Sequence, residues 1–269
     1  MTRILVLTPT LGKRSSLVTT VASVLGVSTL VRDVVELDYL LVVPRSVNLS
    51  QFSDQVQSVP LFIQPDNVSG VFAALNSALN SLMLSYDYFA YINDDDYWLP
   101  SYEKLIREVV KGLPAIAIGR TLLKRENISY PSAHFPFTYL SKYLFLLGKS
   151  PFTQQSMLFS RRIILDTGFF DESLPLNADI DFLLRAFAST KSCLVISPVC
   201  SVYCQGPDRI TSDPAELRAA NRILRGRFRF SRILSVVSVL MFWVYNFPLY
   251  TARLLNPLSC RSGSFRGLT

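Results

Sequence analysis

The chain has 269 residues, 49% of them apolar and 17% charged, with a net charge of +7. That is enough chain for one large α/β domain with an appendage, and the composition is too apolar for a disordered protein. A single histidine, His134, argues against His-rich zinc sites, and four cysteines without a CxxC pair argue against a disulfide scaffold.

The first run, Ile4 to Leu7, reads as a strand ended by Thr8-Pro9-Thr10-Leu11-Gly12, and is too short for a signal peptide. Ser15 can cap a following helix whose inner side carries Leu17, Val21, Val24 and Leu25. A second strand spans Leu37 to Val43 and a third spans Val59 to Ile63, ending at Gln64-Pro65-Asp66-Asn67. After Gly70 a long helix carries Phe72, Leu75, Leu79 and Leu82. Strand, helix, strand in this order opens a doubly wound parallel sheet.

Tyr88 to Ile92 then runs straight into Asn93 and three consecutive carboxylates, Asp94, Asp95 and Asp96. A short, bounded apolar run reads as a strand buried on both faces, and the carboxyl end of such a strand is where an α/β sheet places its ligands. Adjacent carboxylates repel one another, and hard oxygen ligands suit Mg²⁺ or Mn²⁺ bridging a diphosphate. The plain alternative is a solvated acidic turn ahead of a helix from Ser101 to Lys111. A strand over Ala115 to Ile118 follows.

From Tyr130 to Phe152 the chain is rich in aromatics, which suits a helix covering the sheet, an acceptor wall, or a surface dipping into a membrane interface. Thr153 to Ser160 is strand-like again. Asp179 heads a helix with Phe182, Leu183, Ala186 and Phe187 on its apolar face. Its carboxylate either caps that helix or faces the site as a general base. Cys193, Cys200 and Cys204 read as small apolar packing residues in a reducing compartment.

Six arginines lie between Arg218 and Arg232 (218, 222, 225, 227, 229, 232), and the last acid of the chain is Glu216. Such a stretch suits anionic lipid or phosphate better than nucleic acid. Residues 233–252 carry no charge, and at about 1.5 Å per residue they reach roughly 30 Å, the depth of a hydrocarbon core. Asn246 and Pro248 weaken a clean span, and Trp243, Tyr245 and Tyr250 look like interface anchors. A helix lying tilted or in the membrane plane is the first expectation, a single span the second, and a core or dimer helix the third.

Together these motifs resemble the large group of inverting, "family 2" glycosyltransferases with the GT-A fold, found in bacterial polysaccharide and glycolipid synthesis. The resemblance covers about residues 3 to 212. It is carried by the opening strand with Pro9 and Thr10, by Asp66 with Gly70 to Asn76, by Ile92 to Asp96 as the DXD region, and by Gly168 to Glu172 followed by Asp179, Asp181, Phe182 and Arg185.

The resemblance implies an α/β, GT-A (Rossmann-like), mostly parallel sheet flanked by helices over residues 1–215. A basic, then apolar, membrane-associated helical segment would occupy 216–269. Pro9, Thr10 and Asp66 would line the nucleotide, and Asp94 would sit by the ribose and sugar. Asp95, supported by Asp96, would hold a divalent Mn²⁺ or Mg²⁺ on the diphosphate. Gln154 and Gln155 would touch sugar or acceptor, and Asp179 would take the acceptor's proton. The implied partners are a nucleotide sugar, a saccharide or lipid-linked acceptor, and the inner face of the cell membrane, with no nucleic acid and with a homodimer left open.

The sequence departs from the family's pattern at Pro44-Arg45, Ala73, Ala178 and Gln154, where relatives commonly have Asp, Asp, Glu and His. Those departures leave the donor open and keep a non-catalytic GT-A-like subunit as the alternative. A nucleotidyltransferase ranks lower, because the loop after the first strand has only one glycine.

Overall fold

The computed structural model describes residues 1–125, 128–174, 176–206, 214–228 and 230–255, apart from the side chains of 214, 248, 250 and 252–255. The expectations placed on Arg229, Cys260, and the side chains of Pro248 and Tyr250 fall outside the described residues.

The first half alternates as its hydrophobic pattern dictates. Strand β1 (Thr2–Pro9) is followed by α1 (Leu17–Val31), β2 (Val35–Pro44), a short α2 (Asp54–Gln57), β3 (Leu61–Gln64), α3 (Val71–Leu82) and β4 (Tyr88–Tyr91). These strands pair in parallel, β2 with β1 and β3, and β1 with β4. Along β1 the side chains alternate between two cores. Ile4 and Val6 join one with Val24 and Leu41, while Leu5 and Leu7 join the other with Leu75 and Phe89. Burial on both faces explains the unbroken apolar runs, and each such side chain contributes about 1.5–3 kcal/mol.

The second half lengthens the sheet with antiparallel pairings around β8 and a parallel pairing of β6 with β9. It comprises β5 (Tyr97–Trp98), α4 (Tyr102–Gly112), β6 (Ile116–Arg125), β7 (Ile128–Pro131), α5 (Thr138–Leu146), β8 (Met157–Ser160), α6 (Arg161–Thr167), α7 (Ala178–Ser189) and β9 (Cys193–Gln205). The strand order is β3-β2-β1-β4-β8-β6-β9-β5, with β7 paired to β6. The sheet is therefore mixed, with β8 antiparallel to both β4 and β6.

Several boundaries differ from the sequence reading. β6 continues past Gly119 to Arg125, and β9 has no counterpart among the expected strands. Residues Gln154–Ser156 form a single 3-10 turn, so β8 starts only at Met157. Ser16, not Ser15, stands at the start of α1, and its hydroxyl donates to the Asp94 carbonyl at 2.9 Å. The aromatic stretch proves to be α5 with its flanks, and Phe135, Leu144, Phe145 and Phe152 are buried in the sheet's core. Cys193 and Cys200 are free thiols.

Helices α8 (Pro214–Arg227) and α9 (Arg232–Leu255) complete the described chain. Leu224 and Phe242 join the core under α5. Among the described residues, no helix is long and apolar enough to cross a membrane, so the single-span expectation has no support.

Candidate active site

The parallel strands β1 and β4 end side by side, and the loops that follow them build one wall of a cavity of about 850 Å³. Asp94 and Asp95 line it, with Pro9 and Arg14 from the β1–α1 loop and Gly70 at the start of α3. Gly70 holds φ +93, a backbone state that L side chains rarely adopt, and this lets the chain turn sharply from β3 into α3 beside the acids.

Thr10 Oγ1 donates to Asp94 Oδ2 at 2.6 Å and accepts from the Gly12 amide at 3.0 Å. Arg14 Nη1 donates to Asp95 Oδ2 at 2.5 Å, and its Nε lies 3.7 Å from Asp94 Oδ1. Burial pushes the Asp94 carboxyl above its ordinary range, while the Thr10 hydrogen bond and the Arg14 charge pull it back. The two acids thus face the cavity as a pair held by one hydroxyl and one guanidinium.

Asp96 points the other way. It is fully buried, with Oδ1 accepting from the Cys204 amide at 2.9 Å and Oδ2 from Gln155 Nε2 at 2.5 Å and Asn93 Nδ2 at 3.3 Å. The support expected of it at a metal is replaced by a different role, because its oxygens answer buried protein donors and it fixes the turn that presents Asp94 and Asp95. Gln155 is corrected with it. Its amide serves Asp96 from a fully buried position away from the cavity, whereas Gln154 does line the cavity. Asp66 stands apart at the end of β3, its side chain 72% exposed and 3.8 Å from Arg45, and it is not part of the cavity wall.

Across the cavity, Asp179 sits in the first turn of α7. Asn177, in the left-handed conformation at φ 63, turns the chain into that helix, and its side-chain amide donates to Asn221 Oδ1 at 3.1 Å. Asp179 Oδ1 accepts from its neighbour's amide, Ile180 N, at 2.9 Å. Burial raises its carboxyl above the ordinary value, with backbone hydrogen bonding opposing. A carboxyl whose ionised form is disfavoured by burial, at the wall of a cavity, suits proton abstraction.

Two sets of contacts that sequence reasoning missed brace α7 and the segment leading into it. Asn76 of α3 exchanges two hydrogen bonds with the Phe170 backbone, at 3.0 and 2.9 Å, and also donates to Glu172 at 2.7 Å. Asp181 accepts from Arg185 Nε at 2.8 Å, and Arg227 of α8 bridges Asp171 and Asp181. The only sequence signal for either was the position of Asn76, Asp181 and Arg185 within the blocks that carried the family resemblance.

The family resemblance implies a divalent cation, and the two carboxylates that would hold it are paired with the Arg14 guanidinium in this structure. Asp94 and Asp95 offer hard carboxylate oxygens at the cavity wall. Among the described residues no three His, Cys, Asp or Glu side chains converge to cage a metal ion. Mg²⁺-like ions are commonly held in this manner, by one or two carboxylates with substrate phosphates and water supplying the rest.

No family model matches the sequence, and neither does any curated protein sequence. Solved structures do match. Residues 1–349 of S. aureus TarS in complex with UDP-GlcNAc superpose with a TM-score of 0.64 at 12% identity, covering 95% of this chain and 76% of that one. Glucosyl-3-phosphoglycerate synthase from Mycobacterium tuberculosis, in complex with Mn²⁺, UDP and phosphoglyceric acid, gives a TM-score of 0.52 at 13% identity, covering 83% of this chain and 76% of that one. At these identities the likeness establishes architecture, and the architecture is the GT-A fold of those glycosyltransferases.

Proposed function

We propose that this chain transfers a sugar from a nucleotide-sugar donor to an acceptor hydroxyl, with inversion and with the help of a divalent ion. The observation that carries this reading is the meeting of Asp94, Asp95 and Asp179 in one cavity of a GT-A fold. Pro9 and the β1–α1 loop border the nucleotide, and Gln154 borders the sugar or acceptor. Asp94 and Asp95 face the diphosphate end, where Asp95 is the first candidate to hold the ion. When bound there, the ion supplies charge neutralisation for the departing diphosphate. Asp179 takes the proton of the attacking hydroxyl, sharpening its oxygen for in-line displacement at the anomeric carbon. The acceptor is a saccharide or a lipid-linked saccharide, and the C-terminal helices keep the enzyme at the inner face of the membrane.

A thermal-shift panel of UDP-, GDP- and dTDP-sugars, each with and without Mn²⁺, tests the donor site. UDP-GlcNAc heads it, because TarS was solved with that molecule. A ligand that binds the native state alone raises its apparent stability by mass action. Metal-dependent stabilisation by one sugar nucleotide is the expected result. Absence of any shift in folded protein would overturn the reading, and stabilisation without transfer or donor hydrolysis would favour the non-catalytic alternative.

A further inference from the structure

Arg14 supplies the positive charge of the cavity. Among the described residues of the wall it is the one basic side chain, and the other charged side chains there are the acids Asp94, Asp95, Glu172 and Asp179. Its guanidinium lies across two of them. Nη1 meets Asp95 Oδ2 at 2.5 Å, and Nε stands 3.7 Å from Asp94 Oδ1. One guanidinium thus takes up an oxygen of each carboxylate that a divalent ion would need.

The three side chains are not equally free to move. Those of Asp94 and Asp95 are 16% and 17% exposed, and that of Arg14 is 43% exposed. Asp94 is fastened twice, by the Thr10 hydroxyl on Oδ2 at 2.6 Å and by the Ser16 hydroxyl on its carbonyl at 2.9 Å. The chain after Asp95 is pinned by the buried Asp96. The backbone leading to Arg14 is held as well. Gly12 has φ +65, a Cβ on it would meet Val47 Cγ2 at 2.7 Å, and its carbonyl accepts from Gln51 Nε2 at 2.7 Å. The adjustable member is the Arg14 side chain, a long stem carrying a guanidinium over two fixed acids.

A guanidinium and a divalent ion are both positive and repel one another at the same carboxylates. Entry of the ion therefore releases Arg14. A diphosphate suits the released group, because the planar fork of arginine donates to phosphate oxygens in pairs. No other basic side chain lines the wall among the described residues.

We infer that Arg14 is a diphosphate-binding residue held in reserve. Without donor it neutralises Asp94 and Asp95, and when a divalent ion and a nucleoside diphosphate enter together it leaves the acids for the diphosphate. This rests on the sugar-transfer reading and adds to it a residue and an order of events. Affinity for the ion alone is scaled down by the fraction of molecules in which the acids are uncovered.

The test uses the full chain, with Arg14→Gln checked for folding by its thermal transition without ligand. Mn²⁺ alone is titrated by the paramagnetic resonance of the free ion, and UDP, GDP and dTDP are titrated by calorimetry at saturating Mn²⁺. In Arg14→Gln, Mn²⁺ alone binds more tightly by about 5–150-fold. The nucleoside diphosphate that the parent accepts binds more weakly by about 10–150-fold. These opposite signs separate the inference from a bracing role, which would weaken both. In the parent, the arginine Nε–H resonance that is missing from Arg14→Gln shifts when Mg²⁺ and that diphosphate are added together and stays in place with Mg²⁺ alone. Mn²⁺ binding that is unchanged or weaker in Arg14→Gln, an unchanged diphosphate affinity, or a resonance unmoved by Mg²⁺ with diphosphate would overturn the inference. Mn²⁺ alone is read without any nucleotide. A parent that binds none of the three diphosphates, beside a variant that still gains Mn²⁺ affinity, would therefore overturn the sugar-transfer reading and leave the competition between Arg14 and the ion standing.

Discussion

The side-chain amide of Gln155 donates to Asp96 Oδ2 at 2.5 Å, joining the turn after β4 to the turn before β8. With the Cys204 amide on the other oxygen, the third carboxylate of the acidic triplet becomes a buried pin. Asp96→Ala strands both donors in the interior, at a cost of about 1–3 kcal/mol for each unsatisfied group. A urea titration should show the midpoint falling accordingly, with metal-dependent donor binding lost at the same time because the turn no longer holds Asp94 and Asp95. A variant with unchanged midpoint would remove the pin.

Asp95→Asn separates presentation from charge. Asp95 is part-exposed and pairs with Arg14, so the loss of this pair changes stability by no more than about 1 kcal/mol. The Mn²⁺-dependent part of the nucleotide shift should disappear while the fold is retained. If the D95N variant kept the full metal-dependent shift, the ion would have to be held elsewhere.

Asp179 carries a pH signature whose sign can be worked out. Its folded carboxyl is raised chiefly by burial, so the folded chain binds the proton more tightly than the unfolded chain does. Stability contributed by this group is greatest at low pH and declines as pH rises from the unfolded value through the folded one, after which the ionised carboxylate is a constant penalty. Asp179→Asn should therefore be at least as stable as the parent at neutral pH. As a base the group acts only when ionised, so turnover falls on acidification with a midpoint above the ordinary carboxylate range. The same substitution should lower kcat by about 10²–10⁴ while sparing donor binding. A destabilised variant with normal turnover would assign Asp179 to helix capping.

What the sequence made legible follows the local rules. β4 is readable because an apolar run buried on both faces is bounded by the acids, and α1, α3 and α7 because their inner faces repeat at helical spacing. β9 is hidden by Ser197-Pro198, which reads as a breaker. The pairing with β6 absorbs it through register shifts between Ile118 and Thr121. The pattern of β6 stops at Gly119 for a different reason. A Cβ there would meet Cys200 Sγ at 2.5 Å, so the glycine permits close approach of two strands rather than ending one. In the site, three identical neighbours give no hint of which one turns inward. That choice rests on Gln155 and the Cys204 amide, 59 and 108 residues away from Asp96, and single-sequence patterns carry no information about partners so distant.

Asn246 offers the last test, because in the sequence it reads as a flaw in an apolar helix and in the structure it is that helix's fastening. Its Oδ1 accepts from the His134 amide at 2.8 Å, and its Nδ2 donates to the His134 carbonyl at 3.0 Å and to the Phe242 carbonyl at 2.9 Å. Asn246→Leu makes α9 more apolar, which would strengthen a spanning helix, but it deprives the His134 backbone of both these contacts. The expected loss is about 1–3 kcal/mol per orphaned group, borne by the packing of α9 on α5 rather than by the sheet. Hydrogen exchange should show faster exchange along α9 and around His134, with β1 and β4 as protected as before. Unchanged protection of α9 would mean that Phe242 and its apolar neighbours hold the helix without Asn246, and a uniform rise in exchange would mean that α9 and the sheet unfold as one cooperative unit.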